Sequence, residues 1–431
     1  MILLLLISIA ILLFLCFVFF KFDLASPSIL LIVPYLISVV FLLSNKNEWQ
    51  VSISDITFFV VFFGLFLTFL GEVFARIIVI GCRSKKLNCN SLRLVKLTPI
   101  LPKSYFINLV IIYMVFFSIF YARHILAVVD SSGASSEVIL GAYRAAEKKQ
   151  NLVLTFFLVI NLPLAYFFLL SFVENYVYHG LLKLKLLVPV FLYAVTLALT
   201  SSRIGVLYLL VSTVLFSFIT YQKKRRWRFS FSPKVAKKIL VSLLITLIIF
   251  YFLGFLTGKS NYHSFYYIVS LYIGSSIAAL DSFLLGFQYS FSQFGSETLV
   301  SLRNFLSFLR IDVELSDGRI LDFVHLGNMP SRTNIYTSFR RVANDYGFFG
   351  IVIYQFFIGF LFSLLYQVLK VKKGYFFEFI ILVYVYFSQY LIFSFVDERI
   401  LVNVLSLTSF VQIIQFFILV RFCSDKAVLL K

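Results

Sequence analysis

Charged residues are scarce in this chain. Asp, Glu, Lys and Arg make up only 13% of its 431 residues, against about 25% in a typical soluble domain. Apolar residues make up 61%, and they gather in runs of roughly 20, the length that crosses a bilayer as a helix. Spanning segments must pair their own backbone groups, so these runs are predicted to be helical. The composition excludes a soluble domain and predicts an all-α polytopic membrane protein.

Cysteine is rare as well, and the common cofactor motifs are missing. Cys82 and Cys89 are too far apart for a CxxC pair, and Cys16 and Cys423 offer no matching pair, so we expect no disulfide and no structural metal. Phosphate-loop, HExxH, GxSxG and GxGxxG motifs are absent. These absences disfavour an ATP-driven pump or a metallohydrolase, and we expect no cofactor.

Acidic residues are outnumbered by basic ones, 19 against 38, which gives a net charge of +19. Such a charge suggests nucleic acid, but the bases lie in short links between apolar runs, where membrane topology accounts for them. We therefore expect no nucleic-acid partner. Placed together on the cytoplasmic side, these links orient the chain with its N-terminus outside. They lie at residues 83–103, 183–185, 223–238 and 370–373.

About eleven spans (10–12) are predicted, with one large outward-facing loop that contains short helices. Residues 1–257 hold the first eight spans, residues 258–347 form the loop, and residues 348–431 hold the last three spans and a cytoplasmic tail. The predicted spans are 1–20, 27–44, 55–80, 104–121, 151–173, 186–200, 204–222, 239–257, 348–369, 375–395 and 400–421.

The segment 264–286 is also apolar enough to cross, but its crossing would conflict with the charges around it. It would place the basic links 223–238 and 370–373 on opposite sides of the membrane. Asp281 within it argues against full exposure to lipid. We therefore predict a helix that lies at the membrane interface or is folded into the protein.

Arginine dominates the bases of the outward loop, whereas the cytoplasmic links are richer in lysine. The planar fork of Arg suits bidentate contact with phosphate or carboxylate, which favours a diphosphate site. The alternative is a solvated loop whose bases are balanced by its acids. The loop's arginines are Arg303, Arg310, Arg319, Arg332, Arg340 and Arg341. Its acids are Asp281, Glu297, Asp312, Glu314, Asp317, Asp322 and Asp345.

The end of this loop predicts a helix that begins near Ile335 after a cap by Thr333 or Asn334. Gly347 and Gly350 then predict a turn into the next span.

Tyr336, Arg340 and Asn344 fall four residues apart and share one face of that helix. Such a helix would hold Arg340 just above the membrane surface, where a lipid-linked diphosphate sits. The structural alternative is a packed elbow in which Arg340 forms a salt bridge with an acid such as Asp345.

Arg203 lies at residues 200–205, in a very short outward connection between two spans. A charged residue so close to the hydrocarbon indicates a functional role, although a snorkelling arginine is the simpler alternative. A general base could be a His or a carboxylate. His325, Asp322 and Asp345 are comparable candidates, and a lone loop histidine is more often incidental.

The end of the loop, NIYTSFRRVANDYGFFG at 334–350 with the apolar run after it, resembles the loop-to-span junction of Wzy-type O-antigen polymerases. YIGSSIAALDSFL at 272–284 and TSSRIG at 200–205 resemble other segments of that family. The resemblance implies a bacterial inner-membrane glycosyltransferase that uses undecaprenyl-diphosphate or similar lipid-linked glycans and no metal. Such enzymes move the growing glycan from its carrier onto a newly flipped repeat unit at the periplasmic face.

Arg203 and Arg340 match positions where the family carries Arg, and Arg332 and Arg341 are carried over with them. The predicted catalytic residues are Arg203, Arg340, His325 and Asp345. The predicted residues for diphosphate or glycan binding are Arg319, Arg332, Tyr336, Arg341 and Asn344.

Two other functions stay open. An O-antigen ligase would use the same donor with a different acceptor. A lipid-linked oligosaccharide flippase would need charged residues deep within several spans and no large outer loop. Besides the bilayer and the lipid-linked oligosaccharide, the expected partners are a chain-length regulator and a flippase.

Overall fold

The fold is all-α, as predicted. In the computed structural model, the described part of the chain contains two two-residue strands and one isolated bridge besides its helices. Nine helices among the described residues are long and apolar enough to cross a membrane, so the protein is a multi-pass membrane protein. The structure describes residues 1–84, 99–132, 139, 143, 152–200, 202–227, 241, 248, 251–252, 264–311, 320–329, 332–372 and 374–425.

The helices follow most of the predicted spans, while the predicted span 239–257 lies largely outside the described residues. The two shorter apolar helices are Leu184–Leu199 and Leu407–Phe422. In chain order the α-helices are α1 (Ile2–Phe19), α2 (Pro27–Trp49), α3 (Asp55–Ser84), α4 (Ser104–Ser132), α5 (Leu152–His179), α6 (Leu187–Leu199), α7 (Arg203–Lys224), α8 (Phe265–Leu285), α9 (Val300–Phe308), α10 (Ser338–Val371), α11 (Tyr375–Ile392), α12 (Ile400–Val404) and α13 (Leu407–Phe422). The strands are β1 (Leu101–Pro102) and β2 (Ser424–Asp425), and short 3-10 turns lie at Leu184–Leu186, Phe291–Gln293 and Phe393–Phe395.

The chain divides into two compact units. The first comprises Met1–Arg93, Val269–Val371 and Tyr386–Phe410. The second comprises Leu94–Ile268, Lys372–Val385 and Val411–Lys431.

Backbone contact between α3 and α10 is the main packing feature of the first unit. A Cβ added at Gly71 would overlap the carbonyl oxygen of Phe356, and one added at Gly359 would overlap that of Thr68. Small residues allow helices to approach this closely. Thr68 also donates a hydrogen bond to Gln355 Oε1 at 2.9 Å. The start of α10, at Phe339, packs on Gly64, whereas farther along Ser363 Oγ donates to the carbonyl of Glu72 at 3.4 Å, so α3 and α10 run parallel.

Helix α8 packs along α2 in the same unit. Ser38 Oγ donates to the carbonyl of Ile273 at 2.7 Å, and the amide of Ser54 donates to Asp281 at 2.7 Å. Most of its apolar stretch is buried. Of the two predicted placements for this segment, the structure therefore favours a helix folded into the protein. That the segment does not cross the membrane stays a prediction.

Aromatic side chains fill the core of the second unit. The ring of Tyr166 stacks on Phe416 with centroids 6.4 Å apart and meets Phe216 edge-on at 5.9 Å. Ser212 Oγ donates to Tyr166 Oη at 2.8 Å, which satisfies the phenol in this apolar setting. Strand β1 pairs antiparallel with β2.

Candidate functional site

Helix α10 begins beside the middle of α2 and α3. The Phe339 ring packs directly on Gly64, and Ser338 Oγ lies 3.2 Å from Tyr35 Oη. Gly64 is about 13 Å along α3 from its first residue at about 1.5 Å per residue. The sequence predicted that Arg340 lies above the membrane surface, beyond the ends of the spans. The structure places the start of its helix beside Gly64 and Tyr35 in the first unit, and the position of Arg340 relative to the membrane surface stays a prediction.

The start of this helix also differs from the prediction. Helix α10 begins at Ser338 rather than near Ile335. Thr333 does not cap it, because its backbone pairs with Val324 in a β-bridge and its hydroxyl accepts from the amide of Ile335. The predicted turn at Gly347 is confirmed, because this residue has φ 67° and ψ −168° and interrupts the helix.

Arg340 is buried at the start of α10 and forms an ion pair with Glu297. This ion pair agrees with the packed-elbow alternative, which expected a salt bridge with an acid such as Asp345, but the acid is Glu297. The guanidinium also lies over two rings, 4.9 Å from the centroid of Phe283 and 5.3 Å from that of Tyr336. Its Nε is buried and has no hydrogen-bond partner among the described residues. A buried donor in this state favours an acceptor from outside the protein.

Arg341 is also buried, and its guanidinium makes a bidentate contact with the Asp397 carboxylate. Its Nε and Nη2 donate to the two carboxylate oxygens at 2.7 and 3.3 Å. Arg399 Nε lies 3.0 Å from the same carboxylate, and Arg341 Nη1 lies 3.9 Å from Glu297. Two arginines of α10 therefore face carboxylates from two different parts of the chain.

Asp345 is completely buried and serves as an anchor. It accepts hydrogen bonds from the amide of Thr298 at 2.7 Å, its hydroxyl at 2.6 Å and the hydroxyl of Ser296 at 3.0 Å. The amide of Glu297 and the side chain of Asn344 donate as well. Both carboxylate oxygens are engaged, so the geometry does not favour the predicted role of Asp345 as a base. We name the whole group the arginine cluster: Glu297, Arg340, Arg341, Asp345, Asp397, Glu398 and Arg399.

Burial sets the acidity of two carboxyls in this cluster. It raises the pKa of Glu297 above its ordinary value, although Arg340 and Arg341 act in the opposite direction. It also raises the pKa of Glu398, which accepts hydrogen bonds from Tyr354 Oη at 2.6 Å and from the amide of Leu401 at 2.8 Å. Both groups therefore hold a proton more readily than an exposed carboxyl.

The remaining predicted residues divide into buried and exposed ones. Tyr336 is buried and donates to the carbonyl of Asp322 at 3.1 Å, and the Asn344 amide donates to Asp345 at 3.2 Å. His325 and Arg332 are exposed, and their predicted roles stay predictions. Arg319 lies outside the described residues.

Arg203 belongs to the second unit, where it is the first residue of α7. Ser202 caps this helix by accepting from the amide of Gly205 at 3.2 Å. Arg203 is half-buried. Its predicted partnership with Arg340 in one site stays a prediction.

Sequence reasoning missed four members of the arginine cluster: Glu297, Asp397, Glu398 and Arg399. Asp397, Glu398 and Arg399 are three consecutive charges in a short predicted outward link, and that pattern was a usable signal. Glu297 carries no such signal, because nothing in the sequence separates it from the other acids of the loop. No group of three His, Cys, Asp or Glu that could hold a metal occurs among the described residues.

No family model, no curated protein and no solved structure matches this chain. The resemblance to O-antigen polymerases therefore depends on the segments at 200–205, 272–284 and 334–350 alone. The arginine cluster does not depend on that resemblance, because it is defined by distances between side chains in the structure.

Proposed function

We propose that this protein polymerises lipid-linked oligosaccharide repeat units at the periplasmic face of the bacterial inner membrane. It would transfer the growing glycan from a polyprenyl diphosphate to a new lipid-linked unit. The observation that supports this is the buried, unsatisfied Nε of Arg340, next to Arg341 and in the first turn of a helix. The positive end of the helix dipole adds to the attraction for an anion there.

The chemistry of the reaction explains why arginines are suited to it. The leaving group is a diphosphate, whose negative charge grows as the glycosidic bond breaks. Arg side chains fixed beside it stabilise the transition state more than the ground state. Because each guanidinium offers a planar fork, it can contact two phosphate oxygens at once.

The test is the surface-glycan ladder of a strain that lacks the protein and is complemented with variants. Without the protein, core capped by a single repeat unit is expected. Arg340→Lys should give the same pattern at normal protein level, because Lys cannot make the bidentate contact. Removing one such donor costs about 10²–10³ in rate. Arg310→Lys is the matched control, since Arg310 is an exposed arginine of the same loop that does not belong to the cluster, and it should restore the full ladder.

Other patterns would contradict the proposal. Complete loss of attached repeat units would indicate a ligase or a flippase. A normal ladder in the absence of the protein would exclude all three functions. A normal ladder with Arg340→Lys would remove Arg340 from the diphosphate site.

A flippase is the second candidate, and one observation in the second unit favours it. Glu174 and Glu378 are both buried, and Lys223 lies 3.7 Å from Glu378 while its Nζ sits over the ring of Phe377. Buried charged groups between helices are typical of transport pathways, although these three lie within two turns of the ends of their helices. Transport of a labelled lipid-linked oligosaccharide across reconstituted vesicles, without polymer formation, would favour this function.

A further inference from the structure

Glu297 differs from the other carboxylates of the arginine cluster in having one carboxylate oxygen that accepts no hydrogen bond from a described residue. Its ion pairs with Arg340 and Arg341 both run through Oε2, and no hydrogen bond joins Oε1 to another described residue. Asp345 has both oxygens engaged by protein donors, Asp397 is held by two arginines, and Glu398 accepts from Tyr354 and two backbone amides. The Oε1 of Glu297 is therefore the carboxylate oxygen of this cluster best placed to accept a proton.

The backbone holds Glu297 in a fixed position. Its own amide and that of Thr298 both donate to Asp345, at 3.1 and 2.7 Å. The Ser296 hydroxyl donates to the same carboxylate. Three consecutive residues are thus tied to α10, and the Glu297 side chain is about one seventh exposed, at 14%. A reactive group needs this combination of fixed position and access.

The Arg340 guanidinium is bonded at one edge and unbonded at the other. Nη1 pairs with Glu297, whereas no described residue accepts from Nε. The free edge therefore suits a diphosphate, and the occupied edge holds the carboxylate. Arg340 would lie between the leaving group and the carboxylate and contact both.

We propose that Glu297 is the catalytic base of the transfer, an inference that rests on the proposed function. Glu297 Oε1 takes the proton from the attacking hydroxyl of the acceptor sugar. The hydroxyl oxygen forms a bond to the anomeric carbon of the donor glycan. The bond from that carbon to the diphosphate breaks, and the diphosphate leaves with the electron pair beside Arg340. The proton on Glu297 then passes to solvent.

The test uses the purified full-length protein in nanodiscs with a polyprenyl-diphosphate repeat unit. Glu297→Gln removes the proton acceptor and should lower the turnover number by about 10²–10⁴-fold, the usual contribution of a general base. Glu297→Asp should retain part of the activity. Glu48→Gln is the matched control, because Glu48 is an exposed glutamate in another outward link, and it should leave turnover unchanged.

Two further measurements separate catalysis from a structural role. Glu297→Gln should bind undecaprenyl diphosphate at least as tightly as the wild type, because a competing negative charge is gone. Wild-type turnover should rise with pH as Glu297 loses its proton. Since burial raises the pKa of this carboxyl, the rise should fall above the ordinary range of a glutamate, and Glu297→Gln should lack it.

The outcomes distinguish this inference from the proposed function. Turnover of Glu297→Gln within a few-fold of the wild type overturns the base while polymerisation stands. A loss of diphosphate binding equal to the loss of turnover also overturns it, and assigns Glu297 to positioning. If the wild type makes no polymer from this substrate, the proposed function is overturned, and so is the role of Glu297 as its catalytic base.

Discussion

Asp345 connects α10 to the loop that carries Glu297, and it is completely buried. Its oxygens accept from two backbone amides and two hydroxyls of residues 296–298. A buried acceptor surrounded by donors loses most when it is replaced by a group that itself donates.

Asp345→Asn should therefore lower the free energy of unfolding by about 3 kcal/mol. Asp322→Asn is the control, because the Asp322 side chain is exposed and should change stability little. Thermal unfolding of both variants in detergent measures the difference. Equal melting temperatures for the two variants would contradict the anchoring role.

At the scale of the residue, the sequence predicted the arginines but not their partners. Arg340 was predicted from its place in a helical pattern and from a family resemblance. Its partner Glu297 lies 43 residues earlier in the chain. Which of several loop acids comes close is decided by tertiary packing, and the local pattern carries no information about that.

At the scale of the element, the contact between α3 and α10 depends on glycine. Because a Cβ at Gly71 would overlap a backbone carbonyl of α10, no rotamer change can relieve the clash. Gly71→Ala should destabilise the protein by about 1–3 kcal/mol, the usual cost of overpacking.

Gly81→Ala is the matched control for Gly71→Ala, in the same helix. At Gly81 a Cβ would meet nothing within 4 Å, so the gain in helix propensity should leave stability unchanged or raise it by up to about 1 kcal/mol. Melting temperatures from fluorescence-detected chromatography compare the pair. A Gly71→Ala protein as stable as the control would refute the backbone contact.

Helix boundaries show what local patterns can and cannot predict. Gly347 was predicted as a turn, and its positive φ confirms the reason, since side chains rarely adopt that conformation. The helix start was placed too early, because the cap was assigned to Thr333 or Asn334, and Thr333 is paired elsewhere. That residue instead pairs with Val324, a contact that the sequence alone does not indicate.

At the scale of the whole molecule, the fold class followed from composition, because apolar runs of spanning length admit only helices in lipid. The direction of helix α8 could not be predicted from composition. Ser38 and Ser54 contact Ile273 and Asp281 in the same order, so α8 runs parallel to α2. Since α8 is unbroken, about 30 Å long and apolar enough to span, the structure favours a second topology, opposed to the sequence-based one, in which α8 crosses the membrane and Ser264 lies on the cytoplasmic side.

Cysteine labelling tests this topology in a cysteine-free background. Ser264→Cys should resist a membrane-impermeant maleimide in intact cells and react after the membrane is opened. Gln50→Cys and Lys372→Cys are exposed controls, expected outside and inside. Labelling of Ser264→Cys in intact cells would instead support the sequence-based map, in which the outward loop begins at 258.

The backbone contact between α3 and α10 also limits how the protein can move. Two helices that touch through their main chains have no layer of side chains between them that could repack, so they shift as one body. Gly347 interrupts α10 between the cluster residues at 340–345 and the stretch whose backbone touches α3 at Phe356 and Gly359. If the protein takes a lipid-linked sugar as proposed, a displacement that admits it to Arg340 should pivot at or before Gly347, while the rest of α10 stays fixed against α3.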